Sequence, residues 1–95
     1  MPQNKPRINV SPGKIRLGEL TYVLGSGFSP NRSAISHLLR PDATEYNPLR
    51  LRIDPNGQFT HRVDSTMLQT GTFEVWVDDE ASKSVSNRAR FVVEP

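Results

Sequence analysis

The sequence predicts an all-β domain, a sandwich of about seven antiparallel strands in two sheets, and three observations carry that expectation. Ninety-five residues hold apolar mass for one core only, since single domains run to roughly 100–200 residues. Eighteen residues are Val, Ile or Thr and seven are Ala or Lys, a bias toward pleated strands over helices. Six Gly and eight Pro punctuate the chain at short intervals, as turns between strands require.

Each element follows from this pattern. Arg7–Ser11 places Ile8 and Val10 at period two and is stopped by Pro12-Gly13; residues 20–24 form a second run, ended by Gly25-Ser26-Gly27. Residues 34–40 carry Ile35, Leu38 and Leu39, which fit one helical turn as well as a buried strand. Pro41-Asp42 stops the run after seven residues, so it is read as a strand. Leu49-Arg50-Leu51-Arg52-Ile53 alternates strictly, with the three apolar residues facing a core and the arginines facing water. Asp54-Pro55-Asn56-Gly57 has the chemistry of a tight turn. It is expected to close a hairpin with residues 58–64, where Phe59, His61 and Val63 share one side. After a loop over residues 65–71 that has room for a short helical turn, residues 72–78 point Phe73, Val75 and Val77 inward and Glu74 and Trp76 outward. The last strand, residues 84–93, puts Val85, Asn87, Ala89, Phe91 and Val93 on one face and Arg88 and Arg90 on the other.

Residues 1–6, polar with two prolines, read as a linker, and residues 7–95 as a single domain cut from a longer polypeptide. No apolar run approaches the roughly 18 residues of a membrane helix, and residues 1–10 lack the basic-then-apolar pattern of a signal peptide. No membrane insertion is therefore expected. Twelve basic against ten acidic residues leave a net charge of +2, too small an excess to imply nucleic acid or anionic lipid. Zero cysteines exclude a disulfide framework, thiolate metal sites and a Cys nucleophile together.

Seven strands in under 100 residues is the count of a constant-type immunoglobulin-like sandwich. Ile8-Asn9-Val10-Ser11-Pro12, Gly18, and the run Leu20-Thr21-Tyr22-Val23-Leu24-Gly25-Ser26-Gly27-Phe28-Ser29-Pro30 resemble the opening of bacterial Ig-like modules of the IPT/TIG type. Asp54-Pro55-Asn56-Gly57-Gln58-Phe59 and Thr70-Gly71-Thr72-Phe73-Glu74-Val75 are similar to a wider set of Ig-like repeats in bacterial exported proteins. The resemblance covers the first third most closely. It implies a module of a larger bacterial protein, exported or at the cell surface. Gly25 and Gly27 let the backbone bend off the second strand, so that Phe28 folds back to plug the end of the sandwich. Gly-x-Gly here precedes Ser-Pro-Asn-Arg and not a helix, so a dinucleotide cradle fails its context.

The candidate functional residues are few. His37 and His61 are the only histidines, and a catalytic triad or zinc site would need partners that the sequence does not show. No enzyme and no cofactor is expected. Asp78-Asp79-Glu80 with Asp54 offers oxygens for calcium at one end of a sandwich, but the spacing is not an EF-hand, and acidic turn residues are the commoner explanation. The most unusual feature is a set of outward arginines: Arg50, Arg52, Arg62, Arg88 and Arg90. They make a candidate polyanion-binding face, or a solvated sheet surface in which Glu74, Trp76 and Asp78 pair with Arg88 and Arg90 across strands. Arg50, Arg52 and Arg62 are expected across one hairpin, near Asp54 and Asp64. Trp76 beside arginines is also what sugar- and base-stacking sites use.

The expected function is thus non-catalytic: spacing, presentation or protein contact, with other domains of the same chain or a separate protein as partner. A carbohydrate- or polymer-binding module built on Trp76 and its neighbouring arginines is the alternative. Specific nucleic-acid binding is not expected, because a groove-shaped helix or ribbon and serial aromatic platforms are missing from the pattern.

Overall fold

A computed structural model describes residues 5–95; the larger part of the expected linker lies outside the described residues. The described residues form eight strands, β1 (Arg7–Ser11), β2 (Lys14–Arg16), β3 (Leu20–Ser26), β4 (Ser33–Leu39), β5 (Leu49–Arg52), β6 (Phe59–Asp64), β7 (Gly71–Asp79) and β8 (Ala89–Glu94). One sheet has the order β1-β3-β6 and the other β2-β8-β7-β4-β5. A short 3-10 turn at Ser65–Met67 links β6 toward β7, where the sequence left room for a helical turn. The all-β, two-sheet immunoglobulin-like sandwich expected from the sequence is the fold observed.

The additional strand arises because the first edge changes sheets. Pro12 has no N–H to continue a ladder, and the chain crosses at Ser11-Pro12-Gly13. Buried Thr21 donates its hydroxyl to the Pro12 carbonyl (2.6 Å), and Val92 N–H donates to the Gly13 carbonyl (2.9 Å). These bonds satisfy the switch from both sheets. β2 then pairs with β8 in parallel, Ile15 opposite Val93. Three residues with one buried apolar side chain give too short a period for the sequence to reveal.

β7 organises the core. It pairs with β4 on one side and β8 on the other, and Phe73, Val75 and Val77 are at most 2% exposed, as the alternation requires. Phe73 and Phe91 stack with ring centroids 5.1 Å apart. Val23, Ile53 and Val93 fill the space around them, and Leu51 is partly buried against the same cluster. At one end Phe28 is buried edge-on to Phe59, 5.2 Å between centroids, which is the expected plug. The strand, however, does not stop at residue 24. Gly25 stays paired on both sides within β3, where a Cβ would collide with the Phe59 ring, and the backbone turns only at Gly27 (φ +75°).

Four local expectations are corrected. First, β5 and β6 do not form a hairpin: β5 pairs with β4 in the larger sheet and β6 with β3 in the smaller one. The Asp54 carboxylate accepts the N–H groups of Asn56 and Gln58, both at 2.8 Å, making a turn that carries the chain between sheets. Its Gly57 carbonyl accepts the Phe28 N–H. Second, Ile53 is 1% exposed but Leu49 is 47% exposed, because β5 is a sheet edge whose start overhangs the core. Third, the alternation fails over residues 84–88. Val85 is exposed and Ser86 is buried, since Ser86 turns inward to accept the Val77 N–H and to donate to the Asn87 carbonyl. Regular pairing resumes only at Ala89. Fourth, in β4, Ala34 and Ser36 face inward and Ile35 outward, so the packing face of that strand is smaller than its apolar residues suggested.

Truncating Phe73 or Phe91 to Ala is expected to cost roughly 3–5 kcal/mol, against about 5–15 kcal/mol of total stability, measured by urea unfolding. Gly57→Ala is a second check. Gly57 has φ +76°, and an added Cβ would lie 2.6 Å from the Phe28 carbonyl oxygen, so a loss of more than about 1 kcal/mol is expected.

Candidate binding surface

The outer face of the five-stranded sheet holds five of the six candidate residues. Side chains at β4, β7 and β8 positions in register stand side by side here: His37 is opposite Trp76 and Glu74 is opposite Arg90. The imidazole of His37 stacks on the Trp76 indole, ring centroids 5.2 Å apart and planes within 7°. From the other flanking side the Arg88 guanidinium sits 4.2 Å from the indole centroid and 3.7 Å from the Glu74 carboxylate. The cross-strand pairing expected of Arg88 is therefore present. His37 Nε2 lies 2.8 Å from the Asp78 carboxylate and its Nδ1 3.9 Å from that of Glu45, giving the histidine a partly buried, hydrogen-bonded role.

Arg50 forms an ion pair with Glu80, with Nε 3.2 Å from a carboxylate oxygen, and not with Asp54. Arg52 is exposed at the end of β5 and makes no ion pair among the described residues. Arg62 lies on β6 in the other sheet, because the turn after Ile53 crosses between sheets. The structure thus gathers Trp76, Arg88 and Arg90, places Arg50 and Arg52 at the edge of the same sheet, and removes Arg62 from both groups. His37, Asp78 and Glu80 complete this surface. Strict alternation over residues 72–78 already placed Asp78 outward, but nothing local in the sequence joins it to His37, 41 residues away.

The acidic run does not converge. Asp78 faces outward to His37, Glu80 pairs with Arg50, Asp54 caps its own turn, and Asp79 points into the core, 2% exposed. Among the described residues no three His, Cys, Asp or Glu side chains gather as metal ligands would. Asp79 serves the fold instead. Its Oδ2 accepts the Ser29 N–H (2.9 Å), the Ser29 hydroxyl (2.8 Å) and the Ser82 hydroxyl (2.9 Å), tying the β3–β4 loop to the turn after β7. Burial pushes its carboxyl up, but the bonds from Ser29 and Ser82 outweigh this and hold it below the ordinary carboxylate value. His61 faces the space between the sheets, where burial pushes its imidazole below the usual range.

No family model matches this chain, and no curated protein matches it. The solved structures similar to it in fold include two that span nearly the whole chain. One is CHIR-AB1, at 17% identity and a TM-score of 0.53 over 94% of this chain and 97% of that one. The other is the CARDB domain of a Pyrococcus furiosus protein, solved in complex with di-metal ions, at 14% identity and a TM-score of 0.52 over 95% of this chain and 93% of that one. Together with the sheet order, these likenesses define the chain as an immunoglobulin-like β-sandwich domain, and at such identities they speak to the fold alone.

Asp79 gives a signed pH prediction. A carboxyl whose folded pKa lies below its unfolded value of about 3.9 contributes stability that is fully present above that pH and is lost as pH falls through the folded value. Asp64, held down by its bonds from Thr66, and Asp42, held down by Thr44, act in the same direction. The urea midpoint should decline gently as pH falls below about 6.5, where the unfolded chain protonates His61 before the folded one does, and more steeply below about pH 4, where the carboxylates are protonated. Asp79→Ala should lose roughly 1–3 kcal/mol at pH 7 and show a shallower acid decline. Asp79→Asn, keeping one acceptor oxygen, should lose less.

Proposed function

We propose that this domain is a non-catalytic spacing and protein-contact module, an IPT/TIG-like or related Ig-like repeat, within a larger exported or surface protein of bacteria. The direction of its outer strands is the observation that carries the reading. β2 and β8 run parallel, with Arg16 beside Glu94, while at the opposite end Ile8 N–H donates to the Asn87 side chain just before β8 (2.8 Å). Polypeptide joined before β1 and after β8 would therefore leave from opposite ends of the domain. The long axis is the strand direction: five strands side by side span only about 19 Å, against principal extents of 46 × 22 × 20 Å. A module of this kind adds a stiff length between its neighbours.

The condition of Trp76 supports this reading over polymer binding. A sugar- or base-stacking platform offers an open ring face, whereas His37 and Arg88 approach this indole from the two flanking strands. A ligand would first have to displace contacts that the sheet already makes.

Replacing the domain, within the protein that carries it, by an unrelated Ig-like domain of the same length should preserve most of the reach and activity of the whole. Deletion, or a replacement of half the length, should not. Soluble cell-wall polysaccharides titrated by calorimetry are expected to give no Trp76-dependent heat. Binding that is lost on Trp76→Ala and restored by Trp76→Tyr would favour the polymer-binding alternative.

A further inference from the structure

We infer that the free edge of β5 takes up an extended acidic-apolar segment of a partner protein as an added strand. This deepens the contact half of the reading above and rests on it. β5 pairs only with β4 and closes the five-stranded sheet on that side. Its ladder fixes which backbone groups are free. Ile53 N–H donates to the Arg32 carbonyl (2.9 Å), in the same register as Leu51 opposite Ala34 and Leu49 opposite Ser36. In an antiparallel pair hydrogen-bonded positions alternate. Leu49 and Leu51 therefore bond to β4, and the N–H and C=O groups of Arg50 and Arg52 point away from the sheet.

Beside this edge the sandwich is open. β6, the neighbouring edge, belongs to the other sheet, and between them lies a mainly apolar cavity of about 300 Å³, with Leu38, Leu49, Val63, Leu68, Val75 and Phe91 among its walls. At roughly 30 Å³ for each water-sized unit, it has room for two or three medium apolar side chains. Leu49, on the inward row of β5, remains 47% exposed at the mouth of this cavity. A strand paired with Arg50 and Arg52 would place every second side chain beside Leu49 and Leu51, over the cavity, and the others on the outward row with the two arginines.

Charge selects the occupant. Arg50 shares its charge with Glu80, and Arg52 has no carboxylate partner among the described residues, so the outward row favours carboxylates opposite it. A second copy of this edge would set arginine against arginine, the like-charge pairing by which exposed edges repel their own kind. The partner is therefore a strand that alternates acidic and aliphatic residues, held by main-chain bonds with specificity from the alternate side chains.

The test is a titration of the isotope-labelled domain with an eight-residue peptide alternating glutamate and valine or leucine, followed by amide shifts and hydrogen exchange. Shifts should centre on Leu49–Arg52, with slowed exchange at Arg50 and Arg52. Methylating the edge-facing amides of the peptide should abolish binding. Arg52→Glu, at an exposed position whose folding is checked by its melting curve, should weaken binding about fivefold, as should lysine in place of glutamate in the peptide. The inference is overturned by no shift at the solubility limit, by shifts centred on Trp76, by indifference to both methylation and Arg52→Glu, or by self-association of the domain through this edge. Any of these outcomes leaves the spacing reading to the domain-replacement experiment, which does not involve β5.

Discussion

The fold depends on one constraint: the inward row of β7 must be buried by strands that reach it from both sheets. Phe73, Val75 and Val77 occupy that row, and Phe73 stacks on Phe91 of the neighbouring strand. Aromatic and branched side chains at period two fit a pleated, half-buried surface, and they exclude water only because the opposing sheet supplies apolar residues to the same cluster, Ile8, Val23 and Phe59 among them. The other devices serve this closure. Thr21 pins the place where the first edge changes sheets, Asp54 shapes the turn that carries the chain from β5 to β6, and Asp79 ties together the loops that seal one end.

Thr21 and Asp79 are buried and Asp54 is exposed, and each acts through hydrogen bonds to groups that the loops bring to it. A carboxylate in the position of Asp79 would be costly alone, yet two serines and a backbone N–H make it a fixed point. The outer face of the larger sheet follows the same logic at lower stakes. Trp76, His37, Arg88, Asp78 and Glu74 satisfy one another across strands, so the residues that look most like a ligand platform in the sequence are largely committed to the sheet. The edge at β5 differs, with free main-chain groups, an exposed leucine and, among the described residues, an arginine without an ion pair side by side.

Much of the architecture was legible because period-two alternation reports facing directly. The inward residues of β7, the buried Phe59 and Phe91 and the pairing of Arg88 with Glu74 and Trp76 all follow from it, while the plug at Phe28 was legible from the glycines before it. What escaped was whatever alternation cannot encode. Asp-Pro-Asn-Gly has the same local chemistry whether it closes a hairpin or passes between two sheets, so β5 was assigned to the wrong neighbour and Arg62 to the wrong surface. The inward turn of Ser86 breaks the period by one residue, and only its bonds to Val77 and Asn87 show why. β2 is three residues long, stabilised by a parallel partner 78 positions away in register, a long-range contact with no local signature.

Native-state amide exchange, residue by residue, tests the account most directly. The central claim is that β7 holds the two sheets together while the edge beyond β5 is open. The amides of Val75 and Val77 should then exchange only through global unfolding, with the free energy and denaturant slope of the whole domain, while those of Arg50 and Arg52 exchange through local access at far lower cost. Exchange of β7 by local opening, or equal protection at Arg50 and Arg52 in the isolated domain, would contradict it.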